Sequence, residues 1–147
     1  MARFLVVQAG RERVGLGLEL VREVVDVGTP RPVPAARAAM RGVMQLRERH
    51  VSLLHLGALL NGGAPPDVIA ETAVIVQIGP AQGRPVQVAL EVEGVEDVAD
   101  RAVATVGEAP EPWGAGVWQV AGGLVTLIDS AALAAMITSS QHQAEVA

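Results

Sequence analysis

The stretch GVMQLRERHVSLLHL at residues 42–56 decides the fold. Two apolar runs, GVMQL at 42–46 and VSLLHL at 51–56, flank the polar segment RERH at 47–50. Short runs of aliphatic and β-branched residues that are separated by a polar turn are typical of a β-hairpin. We therefore predict two antiparallel strands here, with Arg47 at the tip of the hairpin.

Upstream of this hairpin, apolar runs again alternate with turn signals. RFLVVQ at 3–8 and the following VGLGL flank the polar GRER, which predicts a first hairpin. LELVREVVDV at 18–27 has apolar residues first at helical and then at strand spacing, so we expect a short helix that runs into a strand. The proline-rich segment at 28–40 predicts irregular structure followed by an alanine-rich turn of helix.

A Gly/Pro-rich segment, GALLNGGAPP at 57–66, gives the clearest internal break. Its first half predicts a turn of helix, and Gly62 and Gly63 with the two prolines after them predict where that helix ends. We therefore divide the chain into a first barrel at about 1–63 and a second barrel at about 64–137. The polar segment at 138–147 is expected to be a disordered tail.

Short strands dominate the second half as well. TAVIVQIG, RPVQVALEV, VEDV and ATVG supply strand candidates between residues 72 and 107. GVWQVAGGLVTLID at 116–129 predicts a hairpin across a glycine pair, and SAALAAMI at 130–137 predicts a helix with Ser130 as its N-cap. Many short strands at regular spacing predict an all-β fold with minor helix, built as two small barrels side by side.

Composition excludes several function classes. The chain has 147 residues, no cysteine and a net charge of −5, and its eleven basic residues are all arginines, which are scattered along the sequence. Nucleic-acid binding needs clustered cations, so we expect no nucleic-acid partner. Apolar runs fall far short of the ~20 residues that cross a bilayer, and the N-terminus lacks a signal-peptide pattern. We expect a cytoplasmic protein without membrane insertion.

Residues that could carry catalysis do not form a recognisable set. His50 and His55 lie on opposite faces of one strand, so they do not share a metal ion. Ser52 and Ser130 lack the sequence context of a nucleophile. The chain has no lysine and therefore no phosphate-binding loop. We expect no catalytic site, no metal and no cofactor.

Two further clusters each have two interpretations. The carboxylates at 91, 93, 96, 97 and 100 could hold a divalent metal, but we favour a solvated acidic edge that prevents strand-to-strand aggregation. Trp113 and Trp118 could form a stacking platform, but we favour anchors that pack a loop onto a barrel.

Six segments resemble the motifs of the CheW family of chemotaxis coupling proteins, in the family's order. They are FLVV at 4–7, LELVREV at 18–24, GVMQLRERHVSLLHL at 42–56, TAVIVQIG at 72–79, RPVQVALEVEGVEDV at 84–98 and GGLVTLIDSAAL at 122–133. The third segment carries the family's most specific signature, a run of the type G-V-x-N-L-R-G-x-x-x-P-V-x-D-L. The resemblance covers residues 4–137, which is nearly the whole chain.

The resemblance implies a fold, a role and a set of contact residues. The fold is two SH3-like barrels, and the role is a non-enzymatic adaptor that couples chemoreceptor cytoplasmic tips to the histidine kinase CheA. The positions that match the family's receptor contacts, in the groove between the barrels, are Val21, Glu23, Met44 and Arg47. Another CheW-like adaptor is a further candidate partner.

The signature segment also departs from the family. Gln45, Glu48, Ser52 and His55 stand where the family has Asn, Gly, Pro and Asp. The last three lie where the resemblance implies contact with the CheA regulatory domain, so they put that contact in doubt. If the turn needs a positive φ at the family's glycine, Glu48 is strained or the turn is rebuilt. We therefore expect an accessory adaptor with weak or absent kinase binding.

Two alternatives belong to other function classes. The first is a structural β protein whose exposed strands pair only with one another. The second is a small hydrolase that uses His50 or His55 with the cluster around Glu91, and it lacks an evident set of nucleophile, base and orienting group.

Overall fold

Short strands make up most of the computed structural model, which describes residues 3–33, 38–79, 84–100 and 105–146. The elements are β1 Arg3–Ala9, β2 Glu12–Gly17, β3 Val21–Asp26, β4 Met40–Leu46, β5 Arg49–His55, α1 Leu56–Asn61, β6 Thr72–Ile78, β7 Val86–Val92, β8 Gly94–Asp100, β9 Thr105–Gly107, β10 Gly114–Val120, β11 Gly123–Ile128 and α2 Ser130–Val146. The predicted all-β class with minor helix is confirmed. Neither described helix is long and apolar enough to cross a bilayer.

The strands form two sheets. A six-stranded sheet has the order β8-β1-β2-β11-β10-β9, and a five-stranded sheet has the order β3-β6-β7-β5-β4. Neighbouring strands are antiparallel except for β2 with β11 and β5 with β7, which are parallel. The five-stranded sheet is therefore one continuous stretch of chain, β3 to β7, placed between β2 and β8 of the six-stranded sheet.

The break predicted near residue 63 does not separate the sheets. Strands from both sides of it pair in each sheet, because β2 pairs with β11 and β5 pairs with β7. The Gly/Pro-rich segment is a loop between α1 and β6, within the five-stranded unit. Glycine and proline mark a turn equally well inside a domain and between domains, so composition alone misplaced the boundary.

The segment after β3 closes the five-stranded sheet into a barrel. Arg31 N donates to Val43 O at 2.8 Å, and Val43 N donates to Arg31 O at 2.9 Å, so the chain leaving one edge strand joins the other edge strand, β4. Gly42, with φ of 148°, allows this approach, because a Cβ there would overlap the Arg31 carbonyl oxygen.

The core has three parts. Met44, Leu53 and Ile75 belong to the interior of the five-stranded barrel. The six-stranded sheet curls around Phe4 and Trp118, whose rings meet edge to face at 5.9 Å. A third cluster fills the space between the sheets, and it includes Val7, Val76, Leu90, Trp113 and Leu133. Both tryptophans are buried, so their interpretation as packing anchors is confirmed.

The short helix predicted from residue 18 is wrong. Residues 18–20 form a turn, with Leu20 N donating to Gly17 O, and β3 begins directly at Val21. Pairing with β6 outweighs the helical spacing of the apolar residues, since that spacing is only a weak preference in a β-branched segment. Most of the predicted alanine-rich turn of helix lies outside the described residues.

The helix ends agree only partly with the sequence. Helix α1 ends as predicted, with Gly62 at φ of 76° and its N–H donating to Ala58 O. The N-cap of α2 is Asp129 rather than Ser130, because Asp129 Oδ2 accepts from Ala132 N at 2.9 Å. Helix α2 continues to Val146, so the prediction of a disordered tail from residue 138 is wrong for residues 138–146. Its alanine-rich beginning favours helix.

Candidate protein-binding surface

One end of the five-stranded barrel carries an exposed, doubly bonded ion pair. Arg47 Nη2 lies 2.7 Å from Glu23 Oε1, and Arg47 Nη1 lies 2.9 Å from Glu23 Oε2. The side chains are 68% and 31% exposed, respectively. The hydrogen bonds to Glu23, and then its charge, raise the pKa of Arg47 above its usual value. Two of the four predicted receptor contacts therefore meet, although 24 residues separate them.

The backbone at the hairpin tip holds Arg47 in an unusual conformation. Leu46 pairs with Arg49, so Arg47 and Glu48 form a two-residue connection. Among the described residues other than glycine, Arg47 is the one with a positive φ, at 54°. A positive φ at the first central position alone is the pattern of a type II′ turn, which favours glycine there. The strain predicted for Glu48 therefore falls on Arg47 instead, and the turn differs from the one expected.

The other two predicted contacts do not share a face with this pair. Val21 pairs with Val76 and Glu23 pairs with Ile75, because the register of β3 shifts between them. Val76 belongs to the core between the sheets and Ile75 to the barrel interior, so Val21 and Glu23 point to opposite sides of β3. Met44 is only 2% exposed and cannot touch a docked partner directly.

A row of polar side chains continues the surface across the barrel end. Gln87 Nε2 donates to Gln77 Oε1 at 3.0 Å, Arg22 Nε donates to the same oxygen at 3.4 Å, and Arg49 Nη2 donates to Gln87 Oε1. We call this surface the hairpin rim, and it comprises Arg22, Glu23, Arg47, Arg49, Gln77 and Gln87. The sequence analysis missed the two glutamines as a pair, because only the register of β6 against β7 places them opposite each other.

The opposite end of the barrel holds a buried ion pair. Arg41 Nε and Nη2 each lie 2.9 Å from a carboxylate oxygen of Glu91, which is fully buried. Ala70 N donates to Glu91 Oε2 at 2.9 Å, and Arg41 Nη1 donates to Pro66 O at 2.6 Å. The interpretation of Glu91 as part of a solvated acidic edge is therefore wrong. This carboxylate pairs with Arg41 of β4 and fixes the loop before β6.

His55 connects the two sheets. Its Nδ1 accepts from Ala58 N at 3.0 Å and so caps α1, and its Nε2 lies 2.7 Å from Glu93 Oε2. The other oxygen of Glu93 accepts from Gly10 N, in the turn between β1 and β2, at 2.6 Å. An Asp at position 55 could cap a helix in the same way, so the cap of α1 does not require the family's residue.

His55, Glu91 and Glu93 form a cluster of side chains of the types that bind metal ions. Ligand atoms of His55, Glu91 and Glu93 lie within 4.8 Å of one another. However, Nδ1 of His55 accepts a hydrogen bond, so a neutral ring carries its proton on Nε2 and donates it to Glu93. Glu91 is already neutralised by Arg41. The donor set is engaged in holding the fold and does not fit a metal site without rearrangement.

The three positions where kinase contact is in doubt do not form one surface. Glu48 is exposed at the hairpin tip. Ser52 is half-buried in β5, where it pairs with Val43 of β4, and His55 is 3% exposed. A docked partner could therefore reach Glu48 directly, whereas His55 would act only through the residues that it supports. Of the two histidines in the hydrolase alternative, His50 is exposed, whereas His55 is buried and lies beside Glu91 and Glu93.

Comparison with known proteins adds to this geometry. The CheW-like domain family matches residues 3–139. The chain belongs to the CheW-like domain family. Among solved structures, it is similar to the crystal structure of the scaffolding protein TtCheW from Thermoanaerobacter tengcongensis, with a TM-score of 0.66 and 20% sequence identity over 86% of this chain and 83% of that chain. No curated protein matches the sequence.

Membership of the CheW-like family supports a scaffold or adaptor role in chemotaxis. CheW-like proteins are non-enzymatic scaffolds, which agrees with the expectation that this chain is not an enzyme. The similarity to TtCheW shows the shared two-sheet β fold.

Proposed function

We propose that this CheW-like chain is an accessory adaptor, which binds the cytoplasmic tip of a chemoreceptor at the hairpin rim and binds a CheA-type kinase only weakly. The Arg47–Glu23 pair is the observation that carries the proposal. By resemblance, its two residues match two of the family's receptor contacts, and the pair is exposed at the end of a barrel.

The pair is suited to a helical partner. A guanidinium has five N–H donors, and the two bonds to Glu23 leave others for a carboxylate or carbonyl of the partner. Because Glu23 already fixes the guanidinium, less conformational freedom is lost on binding. Helix-in-groove contacts combine apolar anchors with a few charges that set the register.

Val21 and Met44 have different parts in this proposal. Val21 is partly buried on the side of β3 that faces the six-stranded sheet, so it is an apolar anchor in the groove between the two sheets. Met44 supports the β4–β5 hairpin from inside the barrel. Replacing Met44 would therefore change receptor binding through the position of the hairpin rather than through lost contact.

Titration of a chemoreceptor cytoplasmic fragment into the protein tests the receptor arm. We expect a dissociation constant in the micromolar range, which corresponds to a binding free energy of about −8 kcal/mol. Arg47→Ala should weaken binding by about tenfold or more. Arg47→Lys should weaken it less, since lysine keeps the charge but lacks the paired N–H donors that bind both oxygens of a carboxylate. Arg11→Ala is the matched control, because Arg11 is an exposed arginine in the turn between β1 and β2.

Two results would reject the receptor arm. One is the absence of binding by calorimetry and co-sedimentation at high protein concentration. The other is an unchanged dissociation constant for Arg47→Ala in a variant that melts like the parent. Self-association in light scattering without receptor binding would instead favour the structural β protein.

The kinase arm rests on the altered hairpin. Glu48 places an exposed carboxylate at the tip, and a partner that covers it without a cation must desolvate an unpaired charge. We expect weaker binding to a CheA regulatory domain than that of a second adaptor from the same organism. Glu48→Gly with Ser52→Pro should restore part of the affinity, whereas equal affinities of the two unmodified adaptors would contradict the proposal.

A further inference from the structure

The end of the barrel opposite the hairpin rim displays a loop that a buried ion pair holds in place. Arg41 and Arg47 lie six residues apart along β4 and its turn, which separates the two barrel ends by roughly 20 Å. Arg41 donates to the carbonyl oxygens of Pro66 and Val68, and Glu91 accepts from Ala70 N. The loop backbone is thus fixed at three points by groups inside the barrel.

This fixed loop exposes two large aliphatic side chains in succession. Val68 is 80% exposed and Ile69 is 40% exposed. Ile69 also lines a surface cavity of about 400 Å³ together with Asp26, Gly28 and Glu71. Exposed aliphatic residues on a rigid loop are typical of a surface that another molecule covers. A partner can bury their apolar side chains while the loop loses little conformational entropy.

The surroundings of these two residues are acidic. Asp26, Asp67 and Glu71 are all exposed. Residues 62–79 and 23–30 contain no lysine or arginine. Arg41, the cation beneath the loop, is already paired with Glu91. None of the ion pairs among the described residues includes Asp26, Asp67 or Glu71, which lie next to the aliphatic pair. We call Asp26, Asp67, Val68, Ile69 and Glu71 the acidic loop face.

We propose that the acidic loop face is a second protein-docking site, whose partner is an amphipathic segment with lysine or arginine beside aliphatic residues. Charge complementarity selects this partner, because cations of the segment would meet three carboxylates while its aliphatic residues cover Val68 and Ile69. The site does not depend on the hairpin rim. The two surfaces lie at opposite ends of the barrel, so a segment bound at one end leaves the residues of the other end exposed.

The test uses two synthetic helical peptides of about 18 residues and the isotope-labelled full chain. One peptide has leucines on one face and lysines and arginines on the other, and its counterpart carries glutamates in place of the basic residues. We expect the basic peptide to shift the amide resonances of Asp26 and residues 67–71 and to bind at least about tenfold more tightly than the acidic one. Its affinity should fall as salt is added.

Two pairs of substitutions separate a docking site from general attraction to an acidic protein. Asp26→Lys with Glu71→Lys should weaken binding by about tenfold or more. The control, Glu108→Lys with Glu111→Lys, makes the same change in net charge on another part of the chain and should weaken it only about twofold. Val68→Ser with Ile69→Ser should also weaken binding, and thermal unfolding checks that each variant is folded.

Three outcomes would overturn the inference. They are equal affinity for the basic and acidic peptides, resonance shifts centred on the hairpin rim, and an equal loss of peptide affinity in the two double lysine variants. Receptor binding is measured in parallel on the same variants. If Asp26→Lys with Glu71→Lys leaves receptor binding intact while Arg47→Ala weakens it, the two sites are separate, and failure at one says nothing against the other.

Discussion

Replacement of Arg41 by methionine leaves an unpaired charge inside the protein and also removes the hydrogen bonds to the carbonyl oxygens of Pro66 and Val68. The parent carboxylate of Glu91 accepts two hydrogen bonds from Arg41 and one from Ala70 N, and it is fully buried. Arg41→Met leaves only the backbone bond. Breaking a buried pair by removing one partner typically costs about 3–5 kcal/mol, a large share of the ~5–15 kcal/mol that stabilises a domain.

The expected signal is a large fall in thermal stability. For a chain of this size, 1 kcal/mol shifts Tm by about 2–4 °C, so Arg41→Met should lower Tm by about 10 °C. Circular dichroism and tryptophan fluorescence measure it, and urea unfolding gives the free energy directly. Arg13→Met is the control, because the Arg13–Glu96 pair lies nearer the surface and should contribute little.

A double variant decides whether the unpaired charge is the cause. In Arg41→Met with Glu91→Gln, the buried group is neutral and can still accept from Ala70 N. We expect it to be more stable than Arg41→Met alone, even though it carries one substitution more. If the double variant is no more stable, or if Arg41→Met costs less than about 1 kcal/mol, the assigned role of the pair is wrong.

Three further predictions concern single positions. Arg47→Gly should melt about 2–4 °C above Arg47→Ala in a thermal scan, because both lose the ion pair with Glu23 and only glycine relieves the positive φ. His55→Ala should lower the free energy of urea unfolding by about 1 kcal/mol or more, since it removes the cap of α1 and the link to Glu93, and His55→Asn should lose less. Gly42→Ala should cost on the order of 2–3 kcal/mol in the same assay.

Each of these has a result that contradicts it. Equal melting of the two Arg47 variants would mean that the turn is not strained. A His55→Asn variant as unstable as His55→Ala would show that capping contributes little. A Gly42→Ala variant with parental stability would mean that the barrel closure at Arg31 relaxes easily.

The sequence predicts local structure well where the pattern needs no partner. The hairpin at 42–56 and the end of α1 at Gly62 follow from alternation and from glycine chemistry, both of which act over a few residues. The turn at 18–20 was misjudged because helical spacing is a local signal, whereas β3 pairs with residues of β6 that lie 46 to 55 positions away.

The candidate surface was predicted less completely, for a related reason. Arg47 and Glu23 came from the family resemblance, since no pattern in the sequence joins them. Glu91 was misread because four other carboxylates lie near it in sequence, whereas its real partner, Arg41, lies fifty residues away. The register shift in β3 is also invisible in the sequence, and it alone turns Val21 away from Glu23.

The five-stranded barrel runs without interruption from Val21 to Val92, between β2 and β8 of its neighbour. Both the hairpin rim and the acidic loop face lie on this nested unit. Recombination at only two points could therefore exchange both partner surfaces between relatives while leaving every strand of the six-stranded sheet in place. For an engineer, the same two points, near residues 20 and 93, are where a barrel with other binding preferences should be grafted.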